Sequence, residues 1–324
     1  MVRESERRPD TNDKISRYDI ADTEMAAGST FGSPKATMIV KATGAIEKIY
    51  SGDIGLEMFG TVLLNHWDER TGAPLAAMPG TYRIHPEHQE HLYHLTNGVR
   101  VREDLFVLSG QPDGNSVDPP ACYYSIEVYN DTQHPVEMST YAFAQLRGNT
   151  PRGIACTYNS KHRAIVAWNA EREELARVIG ASVEPTSYEV LPGNGRENAP
   201  LSPGVLADTT CESDGDPVAA LHFSHRLGPR EYARFDIILS FSNRGRAAAL
   251  RTYAKCPSAL KALERTRRYY ERVLNRSIVI CPDENVNRGV LWAKANMLRT
   301  QTLSPTGWCF VNDPTRSNNS VGRD

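Results

Sequence analysis

The chain has 324 residues, of which 40% are hydrophobic and 23% are charged, a composition typical of a folded globular protein. Because domains cluster at about 100 to 200 residues, we expect two domains. The 37 basic and 39 acidic residues leave a net charge of −2, which provides no positive field for nucleic acid or an anionic membrane surface. Neutral partners are therefore favoured.

The amino terminus and the cysteines favour a cytoplasmic setting. The first residues are charged with no apolar stretch behind them, unlike a secretory signal, and no run of about 18 apolar residues occurs. The cysteines are scattered and form no Cys-x-x-Cys pair of the kind found in zinc and redox sites: Cys122, Cys156, Cys211, Cys256, Cys281 and Cys309. We expect a reduced protein with no membrane segment.

Short apolar segments alternate with turn residues from 30 to 242, a pattern typical of antiparallel strands. Thr43-Gly44 separates two of these segments as in a hairpin. Period-two alternation is clear from Val99 onwards, and in 122–128 and 136–146. Further predicted strands are 56–64, 163–168, 176–181, 218–224 and 233–241. The sequence therefore predicts a mainly β protein with one large antiparallel β-sandwich over 30–242, after a flexible segment over 1–29.

The composition changes after residue 243, where Ala, Leu, Arg, Lys and Glu dominate. Residues 246–255 and 258–274 predict two linker helices within a segment over 243–282. Asp283 then provides a helix start, because its carboxylate can accept hydrogen bonds from free backbone amides. The third helix carries one apolar stripe: Val286, Val290, Ala293 and Met297. Strands followed by helices indicate that a separate helical domain begins in 283–324.

Four histidines recur at three-residue intervals, which raises the question of a metal site because imidazoles are common ligands. They are His85, His88, His91 and His94. On an extended chain this spacing places successive side chains on opposite faces, and Pro86 opposes a helix that would gather them. We predict that the four do not converge, and that the protein has no metal site and no cofactor.

Sequence motifs of several other enzyme classes are absent. Neither Gly-x-Gly-x-x-Gly nor Gly-x-x-x-x-Gly-Lys occurs, so nucleotide cofactors are not expected. No Gly-x-Ser-x-Gly elbow supports acyl transfer. Glutamates alternate with the arginines of 258–274, which is typical of a solvated helix face and not of a nucleic-acid-binding surface.

The carboxyl-terminal segment carries the most informative residues. The third helix leads into a polar loop with Trp308, and the segment ends in Arg323 and Asp324. A carboxylate accepts paired hydrogen bonds from sugar hydroxyls, a guanidinium offers a fork of donors, and an indole presents an apolar face to a sugar ring. Since Arg-Asp pairs are common and Trp often only packs, these residues alone leave sugar binding as one interpretation among others.

The helix over 287–299, the Ser304-Pro305-Thr306 loop and the terminal Gly322-Arg323-Asp324 resemble the entry to the α/α-barrel of glucoamylases and bacterial amylo-α-1,6-glucosidases (glycogen debranching enzymes). Residues 41–50 are similar to the supersandwich that precedes this barrel. The resemblance implies an inverting glycoside hydrolase acting on α-glucosidic bonds of oligo- or polysaccharides. It implies substrate binding by three residues: Arg323, Asp324 and Trp308.

In that family the general acid and general base lie on later barrel loops, so no catalytic residue is assigned here. The resemblance implies that the chain is the amino-terminal portion of a longer enzyme and is inactive alone. A disaccharide phosphorylase of similar architecture is an alternative. Two others are a non-catalytic carbohydrate-binding β-sandwich and a histidine-metal β-sandwich enzyme. The sequence does not determine the sugar, the linkage or the oligomeric state.

Overall fold

A computed structural model describes residues 17–25, 28–52, 54–110, 118–148, 153–193, 206–210, 212, 215–304 and 307–310. The strands in this part of the chain are β1 (Tyr18–Ala21), β2 (Ser29–Gly32), β3 (Ala36–Val40), β4 (Ile46–Ser51), β5 (Leu56–Asp68), β6 (Ala73–Leu75), β7 (Thr81–Ile84), β8 (His88–His94), β9 (Val99–Val107), β10 (Ala121–Asn130), β11 (Val136–Leu146), β12 (Ile154–Asn159), β13 (Ala164–Asn169), β14 (Ala176–Ala181), β15 (Ser187–Leu191), β16 (Val218–Leu227), β17 (Tyr232–Ser242), β18 (Gln301–Ser304) and β19 (Gly307–Phe310). The helices are α1 (Arg246–Ala254), α2 (Ala259–Leu274) and α3 (Glu284–Thr300).

Two large antiparallel sheets form a sandwich, as the alternation of the sequence predicts. The first sheet has the order β1-β7-β8-β9-β10-β17-β14-β13-β12. The second has the order β15-β16-β11-β5-β4-β3-β2, with β6 paired to β5. Three helices and the separate β18–β19 hairpin follow the sandwich. No helix in the described ranges is long and apolar enough to cross a lipid bilayer.

The first sheet buries both of its faces over much of its width. Along β10, Cys122 and Tyr124 belong to the apolar core between the sheets. Ala121 and Tyr123 point the other way, into a second apolar cluster that includes residues of α1 and α2. Alternating side chains of one strand therefore enter two different cores, which explains why β10 is almost continuously buried.

The third helix packs on the sandwich through a face other than its apolar stripe. Ala295 and Arg299 are its buried residues, whereas Val286 and Met297 are 46% and 54% exposed. The helix contacts β2 and α2. The prediction that the stripe is left partly exposed is confirmed.

Some boundaries differ from the predicted ones. The sequence predicts a flexible segment through residue 29, but Tyr18–Ala21 forms β1 at the edge of the first sheet, paired with β7. Side-chain anchoring explains its order, because the Asp22 carboxylate accepts a hydrogen bond from the backbone N–H of Gly80 at 2.8 Å. β5 and β16 also continue past the predicted ends, to Asp68 and Leu227.

Two glycines test how closely the helices pack on the first sheet. A Cβ at Gly180 would overlap the phenol of Tyr253 on α1, whereas nothing lies within 4 Å of a Cβ at Gly289 on α3. We expect Gly180→Ala to destabilise the fold by about 1–3 kcal/mol through overpacking. Gly289→Ala, the control, should stabilise it by about 0.5–1 kcal/mol through helix propensity. Urea unfolding measures both, and equal effects would contradict the packing.

Candidate functional site

The β18–β19 hairpin presents two aromatic rings to solvent directly after α3. Trp308 and Phe310 are two residues apart on β19, so their side chains share one face of the hairpin. Both are 48% exposed. Leu303 lies opposite Trp308 in the pairing with β18. We refer to Trp308 and Phe310 as the aromatic face, because exposed rings of this kind can stack against the apolar face of a sugar.

Arg299, near the end of α3, fixes the position of this hairpin. Its guanidinium is buried and donates to the carbonyl oxygens of Pro86 at 2.9 Å and His85 at 2.7 Å. The same group lies over the rings of Phe31 and Trp292, at 4.7 and 5.3 Å from the centroids. Carbonyl dipoles and aromatic faces both stabilise a cation that has left water. The end of α3 is therefore tied to the turn before β8 and to β2.

The hairpin also contacts the sandwich directly. The backbone N–H of Leu303 donates to the carbonyl oxygen of Pro34 at 2.8 Å. Thr302, which is buried, lies against Gly52, where any Cβ would meet its methyl group. These contacts hold β18 against the loops at the ends of β2 and β4. The aromatic face therefore has a defined position relative to the sandwich.

The three residues predicted to bind substrate have different outcomes. Trp308 lies on the exposed aromatic face, whereas Arg323 and Asp324 lie outside the described residues. Their predicted roles stay predictions. Sequence reasoning missed Phe310, although the alternation from Gly307 to Phe310 is a short period-two signal that could have revealed it.

The four regularly spaced histidines fall into three environments. His88 and His94 share the outward face of β8, and His91 points inwards. His94 is half-exposed, with its Nε2 3.9 Å from Asp131. His85 precedes the strand and stacks on His88, with ring centroids 4.2 Å apart. The four therefore do not share one centre, because strand geometry separates them as predicted.

His85, Glu87 and His88 nevertheless form a compact group, with potential ligand atoms within 4.8 Å of one another. Their arrangement opposes metal binding. The imidazoles are nearly parallel, at 12°, whereas two imidazoles that bind one ion must have ring planes that meet at it. The carboxylate of Glu87 also lies 3.1 Å from Nδ1 of His88, and it accepts a hydrogen bond from Nε of Arg267 at 3.3 Å. The guanidinium already supplies the positive charge that an ion would bring.

The carboxylate of Glu87 is held in its ionised form by these neighbours. Burial by itself raises the pKa of Glu87, but His88, and after it His85 and Arg267, lower the pKa to about 2. The group therefore acts as an ion-paired connection between the turn before β8 and α2. It does not provide a general acid at neutral pH.

A second polar network lies between the two sheets. Glu103 on β9 is buried and accepts a 2.7 Å hydrogen bond from the hydroxyl of Tyr93, which also contacts Nε2 of His66 at 3.2 Å. His66 belongs to the second sheet and Tyr93 to the first, so the network connects the sheets. His91 also contacts Glu103: its Nδ1 lies 3.5 Å from the Glu103 carboxylate, and its Nε2 lies 3.2 Å from the Asp22 carboxylate. Each buried polar group thus has a partner.

The two histidines of this network have opposite pKa shifts. Burial lowers the pKa of His66 to about 4, so His66 is neutral near pH 7. Burial also opposes the charge of His91, but Glu103, and after it Asp22, outweigh this and raise the pKa of His91. Glu103 shows the reciprocal effect, since burial raises its pKa but His91 and Tyr93 bring it below the ordinary value. His91 is therefore the cation that balances Glu103.

A third hydrogen-bonded chain joins hydroxyls to an imidazole on the outer side of the second sheet. The backbone N–H of Leu206 donates to Oγ of Ser187, which lies 3.1 Å from Nδ1 of His222. Nε2 of His222 lies 2.8 Å from Oγ of Ser139, which donates to Glu69 at 2.7 Å. The carboxylate thus contacts the serine and not the imidazole, which is the reverse of a hydrolase triad. This chain fastens the segment around Leu206 to the sheet.

Stability measurements test the ion pairs of His91. Because the pKa of His91 is raised in the folded protein, its stabilisation is complete below the unfolded pKa of about 6.5 and is lost as pH rises through the higher folded value. We expect His91→Gln to lower the thermal midpoint more at pH 6 than at pH 9. The half-exposed His94→Gln is the control and should show little change at either pH. An effect of His91→Gln that grows with pH would refute the assignment.

Zinc titration tests the His85 group. We expect equimolar zinc to leave the thermal midpoint unchanged, because the imidazoles would have to unstack and Arg267 would be displaced. Arg267→Gln removes that competing charge, and binding should improve in this variant if charge is the obstacle. Tight zinc binding by the unaltered protein, lost in His88→Gln, would contradict the interpretation.

No protein-family model matches the chain, and no curated protein matches it. Several solved structures do match the chain in fold. One, assigned as a kojibiose phosphorylase from the human microbiome, matches 89% of this chain with 10% identity and a TM-score of 0.59. Another, a bacterial glucoamylase complexed with acarbose, matches 85% with 12% identity and a TM-score of 0.52.

These likenesses establish a shared fold that includes more than the sandwich. Residues 1–242 are about three quarters of the chain, so a match over 89% extends into the residues after 242. The chain spans 42% and 41% of the two matched chains, which is about two fifths of each. The chain thus has the fold of a β-sandwich and helices that also occurs within these two carbohydrate-active enzymes.

Proposed function

We propose that this chain is the sandwich portion of a carbohydrate-active enzyme that cleaves α-glucosidic bonds, as an inverting hydrolase of glucoamylase or debranching type. Its substrates are oligo- or polysaccharides. A disaccharide phosphorylase of similar architecture is the second candidate, because the matched structures include one protein of each kind. In both cases the chain contributes substrate recognition. The remainder of the enzyme contributes the general acid, and the attacking group is water activated by a carboxylate base in a hydrolase and inorganic phosphate in a phosphorylase.

The observation that carries the proposal is the aromatic face. A sugar ring has an apolar face formed by its C–H groups, and an exposed indole or phenyl ring stacks on it. Trp308 and Phe310 are each half-exposed although both are large apolar groups that normally enter a core. Their hairpin is anchored to the sandwich through Leu303 and, by way of α3, through Arg299. This anchoring supports the proposal, because rings already held in position lose little freedom when a ligand stacks on them.

The proposal assigns binding and not proton transfer to the carboxyl-terminal Arg323 and Asp324. Inverting hydrolysis needs an acid for the leaving oxygen and a base for water, typically on carboxyls about 6.5–9.5 Å apart. Asp324 alone cannot fill both roles, and the resemblance assigns its ionised carboxylate to accepting hydrogen bonds from sugar hydroxyls. Since the chain spans about two fifths of each matched enzyme, we place the acid and the base in the remaining part of a longer protein.

Activity assays test this assignment. We expect purified residues 1–324 to show no turnover of maltose, maltooligosaccharides, isomaltose or kojibiose, and a protein extended along the same reading frame to be active. Activity that requires inorganic phosphate identifies a phosphorylase, and activity without it identifies a hydrolase. Turnover by residues 1–324 that survives Asp324→Ala would show that the chemistry lies elsewhere.

Substitutions of the aromatic face test its role in the extended protein. Trp308→Ala and Phe310→Ala should each raise KM for maltooligosaccharides by about fivefold to tenfold, because each removes a stacking contact. Ile280→Ala is the matched control, since Ile280 is an apolar side chain with 86% exposure but no ring. Equal effects of all three substitutions would reject the face as a sugar contact.

A further inference from the structure

An open cleft lies where both sheets lose a neighbouring strand. On the second sheet, β15 pairs with β16 only as far as His222, which leaves Ser224–Leu227 paired on one side. On the first sheet, β14 pairs with β17 only from Ser242 to Ile237. The connection from β16 to β17 crosses between the sheets at this point. A cavity of about 530 Å³ is lined there by residues 224–227 and 230–233.

The side chains at this cleft combine an exposed ring with polar groups. Tyr232 is 65% exposed at the start of β17, and burial along this strand begins only at Phe235. Arg230 has its backbone in the left-handed region, at φ 64°, a conformation that is uncommon outside glycine. An exposed phenol ring beside an arginine whose guanidinium is held by Asp131 provides both a stacking surface and hydrogen-bond donors.

The charges around the cleft are balanced locally. Arg230 donates to Asp131 at 2.7 Å, and Nε of Arg226 lies 3.1 Å from Glu137. Glu231 accepts from the backbone N–H of Gly228 at 2.8 Å. The arginines therefore already have carboxylate partners and attract no further anion strongly, while their remaining N–H groups can still donate. This combination suits a neutral ligand with many hydroxyls.

His225 adds an unsatisfied polar atom in the wall of the cleft. It is only 8% exposed, and its Nε2 has no hydrogen-bond partner among the described residues. Burial, and after it the charge of His66, lower the pKa of His225 to about 4, so the imidazole is neutral near pH 7. Because that atom has almost no accessible surface, His225 contributes a neutral wall to the cleft, and the ligand contacts are assigned to the exposed side chains.

We propose that the cleft at the β16–β17 connection is a second carbohydrate-binding site, in which a sugar ring stacks on Tyr232 and its hydroxyls bond to Arg230 and Glu231. The site is separate from the aromatic face and lies on a different connection of the fold. Its volume falls in the range of about 300–1,000 Å³ that small-molecule sites occupy. Its lining includes one carboxylate, Glu231, and not the carboxyl pair that glycoside hydrolysis needs, so we assign it the binding of a glucan and not its cleavage.

Isothermal titration calorimetry of residues 1–324 with maltotriose tests the site; the use of an α-glucan as probe rests on the proposed function. We expect millimolar binding that Tyr232→Ala weakens about tenfold and Tyr232→Phe leaves nearly unchanged, because stacking needs the ring and not the hydroxyl. Arg230→Gly should weaken binding without harming the fold, since glycine readily adopts this φ. Circular dichroism and the thermal midpoint verify the fold of each variant.

Trp308→Ala separates this site from the aromatic face. Binding that persists in Trp308→Ala and is lost in Tyr232→Ala supports the cleft, whether or not the extended enzyme is active. Binding lost only in Trp308→Ala overturns the cleft and leaves the proposed function intact. If the protein does not bind maltotriose at about 10 mM, which is on the order of the weakest affinity worth measuring, the proposed cleft site is also overturned. Binding of citrate in place of maltotriose would overturn it as well.

Discussion

The buried guanidinium of Arg299 determines where α3 and the hairpin after it lie. Moving an arginine out of water is costly, and this one contacts backbone carbonyls and two rings in place of a salt bridge at close range. The turn before β8, β2 and α3 therefore meet at one side chain. Gly32 on β2 is required for this meeting, because any Cβ there would overlap the carbonyl of Arg299. The contacts of Arg299 therefore determine the position of the aromatic face.

Helices and a second sheet cover the first sheet from opposite sides, which gives the fold three layers. This arrangement explains the long buried runs in β10 and β14, which resemble the strands of parallel sheets although both strands pair antiparallel with their neighbours. It also leaves room for polar residues inside the sandwich. Glu103 and His91 are tolerated there because each neutralises the other. The hydroxyl of Tyr93 completes the hydrogen bonds of Glu103, and the carboxylate of Asp22 completes those of His91.

The fold and the proposed chemistry rest on different observations. Similarity at 10% and 12% identity establishes the arrangement of strands and helices and does not by itself assign an activity. The case for carbohydrate binding comes from exposed rings at anchored positions, Trp308 and Phe310 on the hairpin and Tyr232 at the cleft. Rings in these positions remain accessible to a ligand in the folded protein, which is why the proposed binding is assigned to them.

The sequence by itself determined most of the long strands, the helices and the order of the two regions. β11 ends where the period-two pattern ends, β14 matches the predicted strand over 176–181, and Gly44, at φ 84°, marks the hairpin between β3 and β4. Helix composition correctly predicted α1 and α2. These features are local, because side-chain period and turn residues act over a few positions.

Only the tertiary structure decided which face of each strand is covered and which element covers it. Arg299 and Glu103 are residue types that sequence reasoning places at the surface, yet both are buried. Carbonyl groups more than 200 residues away receive the charge of Arg299, and His91 on the neighbouring strand balances that of Glu103. The four histidines share one spacing but have three environments. These environments depend on Asp22, Asp131 and Arg267, which lie on other parts of the chain. No local sequence pattern connects those residues to the histidines.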